Sequence, residues 1–319
     1  MANALGTLAS ALIIQRSLEM VFVRYPMLKN LSLDLSDSAA AYNQAITSRY
    51  QAVATVNNFG TAATDRADST VSVTLNNFKE VHHAFTPEEL AGTNSRNLIE
   101  ESSLPIAEAI GAHIFGAIAG NSSPVQAGVW TQTNFSNEEA AFGGANYSAA
   151  TTTYAKVVAQ RKALNIAGVS GAGRFMVVNS PIYEALLNDS SVVEIQKNSN
   201  ATDTIANGVL SNVAGFNIYE WPNMPSTGAS VAGTKVGFCG IKQSTVLTGR
   251  VPRDPREVLP GAGFPGNIGI VTDEGSGLSV MVNEWIDPAT LKANVRCIFM
   301  YGVAVGHPTC GRVLKSTAA

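Results

Sequence analysis

Apolar positions near the start of the chain recur every three or four residues, the spacing of one side of an α-helix. These positions are Ile14, Leu18, Val21 and Tyr25. Pro26 follows directly and disfavours helical geometry at the residue before it. The pattern therefore predicts an amphipathic helical arm that ends near Tyr25.

The period changes to two in the next part of the chain. From Tyr50 to Asn58 and again from Thr70 to Phe78, apolar residues alternate with polar ones, as in half-buried β-strands. The polar segment between these two runs is too long for a tight turn, so the pair is predicted to form a long hairpin. Because an isolated hairpin is only marginally stable in water, we expect it to pack on sheet or helix, including that of a neighbouring subunit.

A long helical stretch is predicted from position 86 toward Gly120. Its start combines a hydroxyl cap, a proline at the first position and two acids that face the positive end of the helix dipole. These residues are Thr86, Pro87, Glu88 and Glu89. Isoleucines at i+4 spacing then form one apolar stripe, namely Ile106, Ile110, Ile114 and Ile118. Pro105 is expected to kink this helix or to begin a second one.

The middle of the chain combines helix and strand signals. A helix is predicted from Ala149 to Leu164, and a short buried strand from Arg174 to Asn179, where an apolar run lies between turn residues. Ser180 and Pro181 have the residue types of a helix start, so a short helix should follow and end near Leu187. The apolar face of the first helix is formed by Tyr154, Val157, Val158 and Leu164.

After position 207 the pattern is mostly strands and turns. The predicted strands are Gly215–Trp221, Lys235–Gly240, Asn267–Thr272, Leu278–Trp285 and Leu291–Val305. Long helices in the first part of the chain and strands in the last part together predict the α+β class.

The chain is poor in charged residues. Hydrophobic residues make up 45% of the 319 residues and charged residues 14%, well below the roughly 25% of soluble globular proteins. Ser, Thr, Asn and Gly supply most of the polarity, and these groups lose water against a partner at lower cost than Lys or Glu. Because charge depletion is also typical of interface cores, the composition suits either an ordinary domain or a protein with extensive interfaces.

Charge and cysteine content narrow the function classes. A net charge of −3 without any Lys/Arg run argues against a dedicated nucleic-acid-binding protein and leaves room only for local, weak contact with DNA. The three cysteines are widely spaced and indicate neither a disulfide framework nor a zinc site. The N-terminus is a poor signal peptide, and no segment reaches the ~20 apolar residues of a membrane span. We therefore expect no cofactor, no metal and no membrane contact.

Motifs for catalysis are weak. A GxGxxG match is formed by Gly261, Gly263 and Gly266. Prolines interrupt this match and no helix follows, so a glycine-rich loop is the better interpretation. Ser170 lies in GVSGAG, which lacks the last glycine of a nucleophile elbow. His82 and His83 are adjacent and would point to opposite faces of a strand, so they cannot share a metal. His113, on an apolar helix face, is expected to be a hydrogen-bonded core or interface residue.

Carboxylates gather along the predicted helix, namely Glu88, Glu89, Glu100, Glu101 and Glu108. Paired acids can act as general acid and base when burial separates their pKa values. A solvated helix face is the favoured interpretation, and a soluble enzyme using Glu88, Glu100 or Glu108 is the alternative. No catalytic residue is assigned.

The order of these elements is helical arm, long hairpin, long helix, α/β middle region and strand-rich end. That order resembles the major capsid proteins of tailed bacteriophages, which have the Hong Kong 97-type fold. Four segments are also similar in local sequence: Val71–Leu90, Gly208–Tyr219 followed by Asn223, Met224 and Pro225, Val236–Ser244, and Gly277–Trp285. Encapsulin nanocompartments share this fold, and an encapsulin-like shell is the alternative family.

The resemblance implies five parts of the chain. These are an N-terminal arm (1–45), an E-loop hairpin (46–85), a spine helix with the first part of the P-domain (86–148), a mainly A-domain region (149–266), and a strand-rich P-domain return with the C-terminus (267–319). The implied protein is structural and not an enzyme. It self-assembles into pentamers and hexamers of an icosahedral head around double-stranded DNA.

The resemblance also implies partners and a location. The partners are further copies of the chain, a portal protein, scaffolding and decoration proteins, and packaged double-stranded DNA bound non-specifically. The location is the virion, after assembly in the cytoplasm of the host bacterium. The hairpin should lie across a neighbouring subunit and the arm beneath one, with residues 1–25 poorly ordered before assembly. The candidate inter-subunit residues are Tyr50, Val53, Phe59, Arg66, Val71, Val73, Phe78 and Lys79.

Overall fold

The computed structural model describes most of the chain, in ranges separated by gaps. The described residues are 3–50, 69–92, 95–122, 125–131, 133–135, 138–139, 154–192, 210, 212–224, 235–258 and 266–315. The chain divides into two compact units. The first unit comprises Met1–Lys29, Leu33–Ile114 and Val246–Ala304, and the second comprises Asn30–Ser32, Phe115–Thr245 and Val305–Ala319.

Helices and strands alternate irregularly along the described residues. The α-helices are α1 (Asn3–Arg24), α2 (Pro87–Gly92), α3 (Ser95–Ala119), α4 (Tyr154–Ile166), α5 (Ser180–Leu187) and α6 (Pro255–Val258). Short 3-10 helices span Pro26–Asn30, Lys242–Ser244 and Pro308–Cys310. The first strands are β1 (Ser32–Ala40), β2 (Ala45–Tyr50), β3 (Ser69–Thr74), β4 (Asn77–Phe85), β5 (Asn121–Ser122), β6 (Val125–Gln126), β7 (Glu138–Glu139) and β8 (Phe175–Val178). The later strands are β9 (Asn212–Val213), β10 (Phe216–Glu220), β11 (Lys235–Gly240), β12 (Thr245–Pro252), β13 (Asn267–Thr272), β14 (Ser279–Ile286), β15 (Ala293–Val305) and β16 (Gly311–Lys315).

The first unit is built on a six-stranded sheet in the order β1-β12-β15-β14-β13, with β4 also paired to β15. β4 runs antiparallel to β15, from Phe85 opposite Ala293 to Asn77 opposite Tyr301. All five late strands predicted from the sequence are present within two residues of their predicted ends, as β10, β11, β13, β14 and β15. β1, β12 and β16 were not predicted.

The second half of α1 packs on its own unit. Ile14, Leu18 and Val21 are fully buried, as the helical stripe predicts, and α1 lies against β13 and β14. At its end, Arg24 pairs with Glu108 of α3 at 3.2 Å. The same chain therefore covers the apolar stripe of this half, and the expectation that residues 1–25 are poorly ordered before assembly stays a prediction.

The predicted helix start at position 86 is confirmed. The Thr86 N–H donates to Glu89 Oε2 at 2.8 Å, and the Glu89 N–H donates to Thr86 Oγ1 at 3.3 Å, which is a capping box. α3 begins at Ser95 and continues through Pro105, so the alternative in which Pro105 begins a second helix is wrong. The predicted isoleucine stripe is buried, namely Ile106, Ile110, Ile114 and Ile118.

α3 is a core helix by burial, although its composition resembles a membrane span. Over Glu101–Ala119 it is long and apolar enough to cross a membrane, and 61% of that stretch is buried inside the protein. Apolar residues on the helix are thus largely covered by the protein's own side chains, as in the central helix of a folded domain.

The second unit contains another six-stranded sheet, in the order β7-β16-β11-β8-β10-β9. β8 pairs parallel to β10 and antiparallel to β11, and all four of its residues are buried, which confirms the predicted buried strand. The cap of α5 is Asn179, whose Oδ1 accepts from the Ile182 N–H at 3.3 Å, and not Ser180. On α4, Val158 is 38% exposed, so its predicted place on the apolar face is wrong.

Aromatic rings fill the core of the second unit around Trp130. Its indole stacks on Phe238 with ring centroids 4.3 Å apart. The remaining rings of this cluster are Phe115, Phe135, Phe175 and Trp221. Beside the cluster, Lys235 Nζ donates to the carbonyls of Ala119 and Trp130, so an ammonium group satisfies the C-terminal end of α3. Burial lowers the pKa of Lys235 to about 8.

Candidate inter-subunit surface

β2 and β3 form a separate two-stranded sheet in the first unit, here called the ribbon. Ile46 lies opposite Val73, and Ser48 lies opposite Val71. The predicted strand from Thr70 to Phe78 is interrupted, because β3 ends at Thr74 and β4 begins at Asn77. The predicted strand from Tyr50 to Asn58 falls outside the described residues except for Tyr50, the last residue of β2.

The two faces of the ribbon differ in chemistry. Ser48 and Val73 are buried and Ile46 is half-buried, so this face packs on the chain itself. The opposite face consists of Ala45, Thr47, Arg49, Thr70, Ser72 and Thr74. Apart from Arg49, these residues are uncharged and exposed. The period of two is therefore confirmed for β3. The outer face presents small side chains that can be desolvated at low cost.

The predicted inter-subunit residues fall into four groups. Val53, Phe59 and Arg66 lie outside the described residues. Val71 is half-buried, and Val73 is fully buried against its own chain close to Gly302, so Val73 is not part of the exposed surface. The Cα of Tyr50 lies opposite that of Ser69 at the end of the ribbon. Phe78 and Lys79 are exposed at the start of β4.

Phe78 lies next to an aromatic residue that the sequence analysis missed. Tyr42 is 56% exposed and Phe78 is 46% exposed, and their ring centroids are 6.2 Å apart in an edge-to-face arrangement. Tyr42, Phe78 and Lys79 are here called the Tyr42–Phe78 surface. Tyr42 is 36 positions away in the sequence, within the turn between β1 and β2, so only the fold brings the two rings together.

A half-buried histidine of α3 lies against β15, the strand that pairs with β4. His113 Nδ1 is 2.6 Å from the hydroxyl oxygen of Tyr301, and that hydroxyl donates to the His113 carbonyl at 3.1 Å. Desolvation by burial, together with the positive charge of Lys79, lowers the pKa of His113. The prediction of a hydrogen-bonded histidine is therefore confirmed.

Of the carboxylates of the enzyme alternative, Glu108 forms an ion pair and Glu88 is exposed at the start of α2. Hydrogen bonds from Thr86 lower the pKa of Glu89, and Glu108 pairs with Arg24 at 3.2 Å. The side chain of Glu100 is outside the described part. Among the residues that the structure describes, no group of three or more His, Cys, Asp or Glu side chains could hold a metal ion.

The remaining motif residues have structural surroundings. His82 Nε2 lies 3.0 Å from Asn294 Oδ1, and its ring stacks on Trp285. Ser170 lies in a loop, and its carbonyl accepts from Arg174 Nε at 2.7 Å. Gly266 precedes β13 with a φ of +98°, while Gly261 and Gly263 lie outside the described residues.

Comparison with known proteins gives a likeness in structure. No model of a known protein family matches the sequence, and no curated protein matches it significantly. A chain from Mycobacterium phage Che8 is 15% identical with a TM-score of 0.50, over 86% of this chain and 85% of that one. A chain from the capsid structure of cyanophage P-SCSP1u is 12% identical with a TM-score of 0.51, over 91% of this chain and 87% of that one.

A third structure, the asymmetric unit of the bacteriophage PhiM1 mature capsid, has a chain that is 12% identical with a TM-score of 0.50, over 91% of this chain and 86% of that one. The shared architecture extends over nearly the whole length of both chains in each comparison. The chain therefore has the α+β Hong Kong 97-type capsid fold, and the resemblance stated from the sequence is confirmed at the level of the fold.

Proposed function

We propose that this chain is the major capsid protein of a tailed bacteriophage. Its copies assemble into pentamers and hexamers, which close into an icosahedral shell around double-stranded DNA. The observation that carries the proposal is the likeness in fold to phage capsid chains over 91% of this chain. A fold by itself does not specify function, so the chemistry of the surface supplies a second, independent support.

That second support is the Tyr42–Phe78 surface. Two exposed aromatic rings in contact are unfavourable in water, and aromatic residues are enriched in protein interfaces. The adjoining outer face of the ribbon presents small uncharged side chains apart from Arg49 near its end, so a partner can cover most of it at low desolvation cost. In a closed shell each subunit makes several such contacts at once, and individually weak contacts then combine through high effective concentration.

The proposal includes the parts and partners that such a subunit has. The arm (1–45), E-loop hairpin (46–85), spine helix with the first part of the P-domain (86–148), A-domain region (149–266) and P-domain return (267–319) remain predictions. So do the portal, scaffolding and decoration proteins, non-specific contact with DNA, and assembly in the host cytoplasm before incorporation into the virion. The protein acts as a structural component and not as a catalyst.

Substitution of Phe78 tests the proposed interface. Full burial of a Phe side chain stabilises by roughly 1.5–3 kcal/mol, and about half of this side chain is still exposed in the single chain. Phe78→Ser should therefore weaken each contact by about 1 kcal/mol, or roughly fivefold, and sharply reduce shell yield in electron microscopy. Phe78→Tyr keeps the ring and should assemble.

The thermal midpoint of the dispersed Phe78→Ser subunit should fall by only a few degrees, because about half of the ring is covered by its own chain. Normal shell yield for Phe78→Ser would contradict the proposed role of this surface.

A further inference from the structure

The last residue of α4, in the second unit, exposes a large apolar side chain. Ile166 is 78% exposed, whereas Val157, Gln160 and Leu164 on the opposite side of the helix are buried. A single exposed isoleucine is ordinary on a protein surface. Two further features, the fixed backbone around Ile166 and a pocket at the other end of α4, give this side chain a partner.

The backbone around Ile166 is held by hydrogen bonds. Gly168 has a left-handed φ of +73°, and its N–H donates to the Asn165 carbonyl at 3.0 Å, as in a glycine cap at a helix C-terminus. The buried guanidinium of Arg174 donates to the Val169 carbonyl at 2.6 Å and to Asn165 Oδ1 at 2.7 Å. Because this segment is already ordered, a contact made through Ile166 loses little conformational entropy.

The other end of α4 contributes to a surface pocket of about 410 Å³. The pocket is lined by the first residues of α4, one residue of α5 and the segment after α5, namely Tyr154, Ala155, Ala185 and residues 188–191. Asp189 ties these parts together, because its Oδ2 accepts from the Tyr154 N–H at 2.7 Å and its Oδ1 from the Ser191 N–H at 2.9 Å. The pocket and Ile166 therefore lie at opposite ends of one helix, roughly 18 Å apart at 1.5 Å per residue.

The two ends also differ in charge. α4 contains three basic residues and no acidic one, and the two nearest to Ile166, Arg161 and Lys162, are exposed. The pocket has acidic groups, namely Asp189 in its lining and the exposed Glu184 on α5, adjacent in sequence to a lining residue. Within the part of the chain that the structure describes, no ion pair uses Arg161, Lys162 or Glu184. The end that carries Ile166 and the end that carries the pocket are therefore complementary in charge between copies.

We propose that Ile166 of one copy of this chain inserts into the pocket of the next copy. The contact is heterologous, because it joins two different surfaces, and a heterologous contact repeated around an axis closes into a ring. Lys162 lies one turn before Ile166 on the same side of α4 and pairs with Glu184 of the next copy. This inference rests on the proposed function and names one contact within its pentamers and hexamers.

Substitution of Ile166 tests the contact. Ile166→Ser should raise the critical concentration for assembly about tenfold, because a side chain that is 78% exposed in the single chain is covered in the ring. The thermal midpoint of the dispersed subunit should stay nearly unchanged for the same reason. Ile166→Val keeps an apolar side chain and is the matched control, which should assemble at nearly wild-type concentration. An unchanged critical concentration for Ile166→Ser would contradict the inference.

Charge reversal tests the predicted ion pair. Lys162→Glu and Glu184→Lys should each raise the critical concentration about threefold, as expected for a partly exposed pair. The two substitutions combined in one chain should restore assembly, because each copy then offers the opposite charges at the same contact. If the combined variant assembles no better than the two single variants, Lys162 and Glu184 do not meet between copies.

Paired cysteines show whether the contact is heterologous. Ala155→Cys and Ile166→Cys in one chain lie roughly 17 Å apart along α4, too far for a disulfide within that chain. After assembly and oxidation, the expected result on a non-reducing gel is a ladder of linked chains that ends at pentamers and hexamers. The two single variants are the controls and should give no ladder.

The contrary outcomes separate this inference from the proposed function. Shells of the paired-cysteine variant that form normally but give only linked dimers, or no linked chains, would overturn the inference and leave the proposed function intact. Failure of the wild type to assemble would instead contradict the proposed function.

Discussion

The buried ammonium group of Lys235 offers a sharp test of the packing around the end of α3. Nζ donates to the carbonyls of Ala119 and Trp130. Burial lowers the pKa from 10.5 to about 8. At about 1.4 kcal/mol per unit, the folded state disfavours the charged form by up to about 3 kcal/mol.

The sign of the pH dependence follows from this difference. Because the folded-state pKa lies below the unfolded value, the unfolded chain binds more protons between pH 8 and 10.5. The contribution to the free energy of unfolding is therefore fully present above the unfolded pKa and is lost as the pH falls through the folded pKa. Lys235→Met keeps an apolar stem at this position and removes the titrating group.

Urea unfolding of the dispersed subunit at pH 7 and pH 10, followed by tryptophan fluorescence, measures the effect. The free energy of unfolding of the wild type should rise relative to Lys235→Met by about 2.5 kcal/mol between the two pH values, because pH 10 is still below the unfolded pKa. Lys242→Met, at an exposed lysine, is the control and should follow the wild type. If wild type and Lys235→Met show the same pH dependence, the ammonium group is not desolvated as the structure indicates.

Two further substitutions test the packing of the first unit. Gly302→Ala places a Cβ against the Thr74 carbonyl and should destabilise the dispersed subunit by about 1–3 kcal/mol. The control is Gly269→Ala, which has open space around its Cβ and should be within about 1 kcal/mol of the wild type in stability. Equal denaturation midpoints for the two variants would contradict the close approach of β15 to β3. His113→Gln should reduce the loss of stability in acid, because a histidine whose folded-state pKa is lowered makes the folded state less stable as the pH drops below the unfolded pKa near 6.5. Thermal midpoints of both proteins at pH 7 and pH 5 measure this loss. If the midpoint falls equally in the wild type and in His113→Gln, His113 is not responsible for the acid sensitivity.

Much of the fold could be predicted because several elements show the apolar pattern of their type within their own sequence. The isoleucine stripe of α3 and the four-residue apolar run of β8 are buried as expected. β12 was missed because it is buried on both faces for most of its length, which removes the alternation that marks a half-buried strand. β1 could have been predicted, since Leu33 and Leu35 alternate with polar residues. It was missed because these residues lie in the segment assigned to the N-terminal arm (1–45).

The candidate surface was predictable only in part. Phe78 and Lys79 could be identified from their position after an alternating run. Tyr42 could not, because the turn that contains it meets β4 only through tertiary packing. Val73 has the same sequence pattern as an interface residue, yet it is buried by its own chain, and periodicity alone cannot distinguish burial within a chain from burial between chains.

Self-assembly is the central claim, and electron microscopy of the unmodified protein, combined with size-exclusion chromatography and light scattering, tests it most directly. The account predicts closed icosahedral particles of megadalton mass, in equilibrium with pentamers and hexamers at lower concentration. A stable species with the mass of one or two subunits under all assembly conditions, with the Tyr42–Phe78 surface accessible to solvent, would contradict it.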